Sequence, residues 1–177
     1  MGAWSTEELE ALYARLQKPL YNVVYRLVWN REDATELVQE TFVKLWHKRR
    51  KVRRATVEAL AYRIALNLAR SLLRKRNVRR RLGFGAEAEV DEVIVPRTGI
   101  EQRALEAEQA LEVREAVAGL PPELRDVLLL TELSELRYDQ IAETLGIAEG
   151  TVGSRRNRAL QRLRRTMGRR RTMGASP

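Results

Sequence analysis

The chain has 177 residues, of which 44% are hydrophobic, 33 are basic and 24 are acidic, so its formal net charge is +9. This length suits one domain or two small ones, and the positive charge favours a polyanionic partner. The chain has no cysteine, which excludes disulfides and thiolate metal sites, and its single histidine, at position 47, excludes a His-rich metal site. It has no apolar run of roughly 20 residues, which excludes a membrane span.

The first 43 residues predict two amphipathic helices. Leucine and valine recur at helical spacing over residues 9–27, and Ser5 followed by Glu8 is a capping box that starts this helix. We expect Asp33 to cap the next helix, whose apolar face runs over residues 34–45. The other face of that helix is polar and carries Glu36, Gln39, Glu40 and Lys44.

Residues 44–81 are strongly basic, with 15 basic residues and one acidic residue. Residues 48–56 lose the helical period, so we interpret them as a loop. Thr56 then caps a helix that runs to about residue 78, with Leu60 and Ile64 on its apolar stripe. Charge runs are usually solvated faces. A second basic block, residues 150–177, has nine basic residues and no acidic one, and two such blocks favour two nucleic-acid contacts.

Between the basic blocks, residues 82–100 carry three glycines and one proline, which are typical of a flexible linker. Helical spacing returns at residues 104–118, and Pro121-Pro122 starts a buried helix through residues 127–130. Helices are predicted at residues 138–145 and 150–166, followed by a disordered arginine-rich tail over residues 167–177. With no strand pattern, the chain is predicted to be all-α.

Residues 138–158 have the pattern of a helix-turn-helix. Gly146 predicts the left-handed residue of the turn, and the small Ala142 lets the second helix cross closely. The outward side of the second helix carries side chains that suit phosphates and base edges. These candidate DNA contacts are Thr151, Ser154, Arg155, Asn157 and Arg158. The alternative is a plain helical hairpin in an all-α protein.

Motifs in both halves of the chain resemble one known family. DATELVQETFVKLW (residues 33–46) resembles region 2.2 of bacterial sigma factors, and YRIALNLA (62–69) followed by RKR (74–76) resembles regions 2.3–2.4. LPPELRDVLLL (120–130), YDQIA (138–142) and GTVGSR (150–155) resemble region 4. The order, the missing intermediate domain and the short linker are typical of the extracytoplasmic-function (ECF) group.

The resemblance implies two small helical domains: region 2 over residues 5–82, a flexible linker over 83–100, region 4 over 101–167, and a basic tail over 168–177. It implies a cytoplasmic, non-enzymatic factor that binds core RNA polymerase at the clamp helices of its largest subunit and directs promoter-specific transcription initiation. Region 2 would melt the −10 element and hold it as single-stranded DNA, while region 4 would read the −35 element as a duplex. An anti-sigma factor is a further implied partner. No cofactor and no membrane insertion are expected.

The resemblance also implies which residues of region 2 act. Those matching the −10 motif lie on the loop and the helix after region 2.2, and they are Lys48, Arg49, Arg50, Lys51, Tyr62, Arg63, Asn67, Arg70, Arg74 and Arg76. We refer to the first four as the basic-loop cations. Those matching the core polymerase contact are Asp33, Glu36, Gln39, Glu40 and Trp46. A cationic groove with stacking side chains suits single-stranded DNA, but Tyr62 and Trp46 are alternatively core residues.

Several positions depart from the family pattern. Leu60 stands where Trp is usual, and Ser71 stands where Asp is frequent. Gly153 replaces a common Lys and weakens its helix by roughly 1 kcal/mol relative to Ala. Arg156 replaces an apolar residue, so we expect it to extend to solvent or to find a partner.

Two other classes of function remain open. A DNA-binding regulator of the response-regulator type would contain a similar helix-turn-helix but would not account for residues 33–76. A helical enzyme would need a catalytic set, and the densest carboxylates, in residues 87–92, come without His, Cys or a glycine-rich phosphate loop. Stable association with core polymerase would favour the sigma-factor interpretation over both.

Overall fold

The described chain is built from helices. The computed structural model describes residues 4–83 and 100–173, with side chains for residues 4–83 and 109–168. These residues form seven α-helices and one short 3-10 turn without any strand, which confirms the all-α prediction. The helices are α1 (Thr6–Val28), α2 (Arg31–Lys48), α3 (Val57–Arg81), α4 (Ile100–Ala118), α5 (Pro122–Leu133), α6 (Tyr138–Leu145) and α7 (Glu149–Met173), and the 3-10 turn is Arg54–Thr56. Helices α1–α3 form the N-terminal domain and α4–α7 the C-terminal domain.

The starts of α1 and α2 are set by side-chain caps. The capping box of α1 is present, because Ser5 N donates to Glu8 Oε2 at 2.9 Å and Glu8 N donates to Ser5 Oγ at 3.2 Å. At α2 the cap is Asn30, whose Oδ1 accepts from the backbone N–H of Asp33 at 2.8 Å. The prediction that Asp33 caps this helix is therefore wrong. Asp33 lies in the first turn, where its charge faces the positive end of the helix dipole.

Helix α3 is buried on two faces rather than one. Ile64, which lies on the predicted apolar stripe, packs together with Ala61 and with residues of α1 and α2 in one cluster. Tyr62, Leu66 and Ala69 are buried in a second cluster that includes residues of the C-terminal domain. Thr56 stands at the N-cap position of α3, but its side chain makes no capping hydrogen bond to the helix, so that detail of the prediction is wrong.

The C-terminal domain follows the predicted helix order. Pro122 opens α5 in its first turn, where a missing N–H costs no hydrogen bond. Helix α7 continues to Met173, beyond the predicted end at residue 166 and into the segment expected to be a disordered tail. Residues 84–99 of the expected linker lie outside the described residues.

The two domains pack against each other through a shared core. Helix α3 lies against α6, and α1 lies against α5. The buried side chains of the shared core come from both domains and include Leu20, Val24, Tyr62, Leu66, Leu130, Ile141 and Val152. Part of the α3 surface is therefore covered by the C-terminal domain.

Candidate nucleic-acid interface

The helix-turn-helix consists of α6, a tight turn and the first half of α7. Gly146 adopts φ 67° and ψ 40°, the left-handed conformation that glycine adopts without strain. Ile147 N then donates to Ala142 O at 3.1 Å and closes the turn. Ile141 and Val152 are fully buried, so the two helices are locked together from their inner sides. This arrangement presents the opposite side of α7 to solvent.

The outward side of α7 carries the five residues predicted to contact the duplex. Ser154, Asn157 and Arg158 are exposed, while Thr151 and Arg155 are half-buried. Ser154 Oγ donates to Thr151 O at 3.0 Å. Within residues 4–83 and 109–168, Arg155 and Arg158 form no ion pair, so both guanidinium groups are available to an anion.

Two atypical positions of α7 are accommodated by neighbouring elements. Arg156 Nε donates to Glu132 Oε1 on α5 at 2.8 Å, so this arginine has found a partner within the fold. A Cβ at Gly153 would lie 3.8 Å from the Tyr138 ring, an ordinary van der Waals distance. Gly153 is therefore not required by packing.

A second cationic surface surrounds the loop between α2 and α3. It lines a cavity of about 620 Å³ whose wall includes His47, Lys48, Arg50, Lys51, Arg53, Leu60 and Arg63, together with Glu143 of the C-terminal domain. Arg49 does not line this cavity; its guanidinium lies 4.0 Å from the centroid of the Trp46 ring. Leu60 thus lies in the cavity wall.

The α3 residues of this surface are partly engaged with the C-terminal domain. Arg63 Nε donates to Thr144 O at 3.1 Å, and its Nη2 donates to Glu143 O. Arg70 forms an ion pair with Asp126, which is only 2% exposed. Arg74 and Asn67 face solvent.

Tyr62 is a core residue in this arrangement. It is 1% exposed, and its hydroxyl has no hydrogen-bond partner among the described residues. Burial above all, and then the charges of Glu135 and Glu58, raises the pKa of Tyr62 above its ordinary value. The side chain therefore presents no face to a base while the two domains are in contact.

The predicted polymerase-binding residues divide into two groups. Glu36, Gln39, Glu40 and Trp46 are exposed on α2, with Glu40 paired to Lys44 at 3.1 Å. Asp33 instead forms an ion pair with Arg76 of α3, although its Oδ2 atom accepts no well-aligned hydrogen bond from the residues that the structure describes. Asp33 was predicted to contact polymerase and Arg76 to contact DNA, but in the structure these two residues pair with each other and hold α2 and α3 together.

An apolar groove beside α2 was not predicted from the sequence. It encloses about 420 Å³ between α1 and α2, and its lining includes Tyr13, Gln39, Phe42, Val43 and Trp46. Tyr13 lies on α1 and Val43 lies on α2, so no local sequence pattern predicts that they line one groove. The role of Asp126 was also not predicted. A carboxylate directly before the apolar residues 127–130 could have indicated a buried charge that needs a partner.

Neither a metal site nor a membrane span is evident in the described parts of the chain. No group of three or more metal-binding side chains occurs there. None of the helices described is long and apolar enough to cross a bilayer.

Two family models match the chain, one in each domain. The model for Sigma-70 region 2 matches residues 12–79, and the model for Sigma-70, region 4 matches residues 110–163. The chain is 31% identical over 155 residues to the ECF RNA polymerase sigma-E factor of Haemophilus influenzae, covering 84% of this chain and 81% of that protein. It is 34% identical over 146 residues to the ECF RNA polymerase sigma factor SigE of Mycolicibacterium smegmatis and spans 56% of the length of that relative.

A solved structure has the same fold. It is the sigma factor RpoE in complex with the anti-sigma factor NepR from Bartonella quintana, with a TM-score of 0.71 and 22% sequence identity. The superposition covers 92% of this chain and 98% of that chain. The likeness therefore extends across both helical domains.

Proposed function

This chain belongs to the extracytoplasmic-function (ECF) group of RNA polymerase sigma factors, and from this premise we propose that it binds core RNA polymerase and directs promoter-specific transcription initiation. Residues 5–82 act as region 2 and residues 101–167 as region 4, joined by the linker over residues 83–100. One observation carries the proposal: each domain presents its own cationic surface, and the two occur in the family's order along the chain. The nucleotidyl transfer that makes RNA would be carried out by the polymerase.

Region 4 provides the duplex contact. The outward side of α7 offers arginine donors for phosphates or guanine and an amide for adenine, which suits insertion into the major groove of the −35 element. Arg155 and Arg158 support this role because neither guanidinium is used in an ion pair by the described fold. Arg156 does not belong to this surface, since Glu132 holds it.

Region 2 provides the single-strand contact. The cavity lined by Lys48, Arg50 and Lys51 combines positive charge with enough volume, about 620 Å³, for an extruded base. The basic-loop cations neutralise backbone phosphates around that base. Arg63, Asn67 and Arg70 extend the same surface along α3, and Arg74 lies one turn farther on.

The exposed side of α2 is the proposed contact with the clamp helices of the largest polymerase subunit. Glu36, Gln39 and Glu40 supply an acidic, hydrogen-bonding stripe, and Trp46 adds an exposed aromatic ring. Exposed aromatic side chains with nearby polar groups are typical of protein–protein interfaces. An anti-sigma factor is a further proposed partner, as for the structural relative whose complex contains one.

Reconstituted transcription tests this proposal. The purified chain is added to bacterial core RNA polymerase with a library of promoter fragments, and run-off products are sequenced. We expect discrete start sites that appear only when the chain is present, and co-elution of the chain with core on gel filtration. Core polymerase alone and core with its housekeeping sigma factor are the controls. Absence of both co-elution and new start sites would overturn the proposal.

A further inference from the structure

We propose that region 4 acts as an anion mimic, occupying arginine donors on the −10 surface of α3 until the two domains separate. The inference rests on the proposed function, because it takes Arg63 and Arg70 as −10 DNA contacts. It concerns how that surface is regulated within this one chain. The evidence is a set of contacts that link α3 to α5 and α6.

The first contact places Arg63 at the end of α6. Its guanidinium donates to the carbonyl oxygens of Glu143 and Thr144, in the last turn of that helix. Last-turn carbonyls lack intrahelical partners and carry the negative end of the helix dipole. They therefore offer Arg63 what a phosphate would offer, which is a concentrated set of acceptor oxygens with negative charge.

The second contact pairs Arg70 with Asp126. Arg70 Nε donates to Asp126 Oδ2 at 3.2 Å, and Nη2 contacts the same oxygen. The other carboxylate oxygen, Oδ1, is buried, and no residue in the described part of the chain donates a hydrogen bond to it. If Arg70 turned to a phosphate while the domains stayed together, Asp126 would be a buried charge without a counter-ion, which is strongly unfavourable. Release of Arg70 and separation of the domains are therefore coupled.

Further contacts make the closed arrangement cooperative. Thr144 Oγ1 lies 2.8 Å from Gln140 O of its own helix and 3.3 Å from Ala59 O of α3, so its single hydrogen is shared between the two carbonyl oxygens. Arg114 of α4 lies 5.4 Å from the centroid of the Trp29 ring, which belongs to the N-terminal domain. Tyr62 is covered at the same interface, and the carboxylate-bearing Glu143 lines the otherwise basic cavity of the loop. The same donors cannot serve region 4 and DNA at once, so the two compete.

Energy transfer between dyes on the two domains tests the closed arrangement. The chain has no cysteine, so Gln17→Cys on α1 and Gln161→Cys on α7, both exposed, give two unique labelling sites. In this background Asp126→Ala removes the carboxylate that pairs with Arg70. The control, Asp139→Ala, removes an exposed carboxylate of the same domain that pairs with Arg137. Thr144→Val supplies a second, independent perturbation if Asp126→Ala fails to fold, as judged by circular dichroism.

Single-stranded DNA binding by the same proteins tests the masking. The probe is a labelled random-sequence strand of about 12 nucleotides, within the usual site size for such surfaces. We expect Asp126→Ala to lower the energy transfer and to raise the affinity for the strand about tenfold, the effect of one charge-assisted hydrogen bond. Thr144→Val should shift both readouts in the same direction by less, and Asp139→Ala should shift neither.

Two results would overturn the inference. One is unchanged energy transfer in both Asp126→Ala and Thr144→Val, and the other is lower energy transfer without tighter binding of the strand. Either result, obtained while the unmodified chain directs initiation with core polymerase, leaves the proposed function standing. Failure of the unmodified chain to direct initiation would instead overturn the proposed function and, with it, the −10 role that this inference requires.

Discussion

Replacement of Arg155 and Arg158 by alanine separates the DNA-binding side of α7 from the rest of the helix. Both guanidinium groups are unpaired within the described fold, so their removal breaks no internal ion pair. Arg156 is the matched control, because it lies on the same helix but donates to Glu132 at 2.8 Å. We expect Arg155→Ala and Arg158→Ala to weaken binding of a −35 duplex, and Arg156→Ala to leave that binding nearly unchanged.

The size of the effect follows from counterion release. Each phosphate contact contributes a slope of about −0.9 to the dependence of log affinity on log salt. A fourfold rise in salt, from about 50 to 200 mM, therefore weakens each contact about 3.5-fold, and two contacts about 12-fold. The double variant should lose that part of the salt dependence. If one arginine reads guanine, its removal should also reduce discrimination at one base pair by about 1–3 kcal/mol, independently of salt.

Fluorescence anisotropy across this salt range measures the salt dependence of duplex affinity and the discrimination between base pairs. The duplex is a −35 fragment selected from a random library, and a scrambled duplex gives the non-specific affinity. Circular dichroism melting checks that each variant is folded. A wild-type salt slope in the double variant, or an equal loss of slope in Arg156→Ala, would refute the assignment of this side of α7 to DNA.

Three further predictions concern stability, polymerase binding and promoter melting. Gly153→Ala should stabilise the chain by about 0.5–1 kcal/mol, because the added methyl group fits beside Tyr138 and removes the entropic cost of glycine. The melting temperature should rise more than for Gly150→Ala, which lies in the first turn of α7, and a lower melting temperature would contradict the packing. Glu40→Lys should weaken co-elution with core polymerase by reversing an exposed charge, whereas Glu123→Lys in region 4 should not; equal behaviour of the two variants would argue against the α2 contact. Alanine at all four basic-loop cations should slow promoter opening while preserving −35 binding, and an unchanged permanganate footprint would count against their −10 role.

Local patterns in the sequence predicted most of the fold. Gly146 and Ala142 identify the turn and the close helix crossing because both depend on residues a few positions apart. The cap of α2 was misplaced by three residues, since Asn30 and Asp33 are both good N-cap types and the backbone conformation decides between them. The end of α7 was missed because an arginine-rich stretch suits a solvated helix as well as a disordered tail.

The contacts between domains could not be predicted in the same way. Arg70 and Asp126 are 56 residues apart, and Arg63 and Thr144 are 81 apart, so no helical period links them. The second buried face of α3 has the same origin: Tyr62 and Leu66 lie off the stripe that packs within the N-terminal domain. An amphipathic pattern shows that a face is apolar, but not which distant element covers it. The outward residues of α7 could be predicted because their burial is decided within one helix-turn-helix.

The fluorescence of Trp29 should report whether the two domains are in contact. Its backbone has φ 53°, and among the described residues it is the only non-glycine with positive φ. The indole is 7% exposed, and its ring centroid lies 5.1 Å from the guanidinium group of Arg26 on α1 and 5.4 Å from that of Arg114 in the other domain. Separation of the domains would hydrate this ring and remove one of its two cationic neighbours. In a chain whose other two tryptophans are replaced by phenylalanine, the emission of Trp29 should therefore shift to longer wavelength whenever a partner pulls the domains apart, without any attached dye.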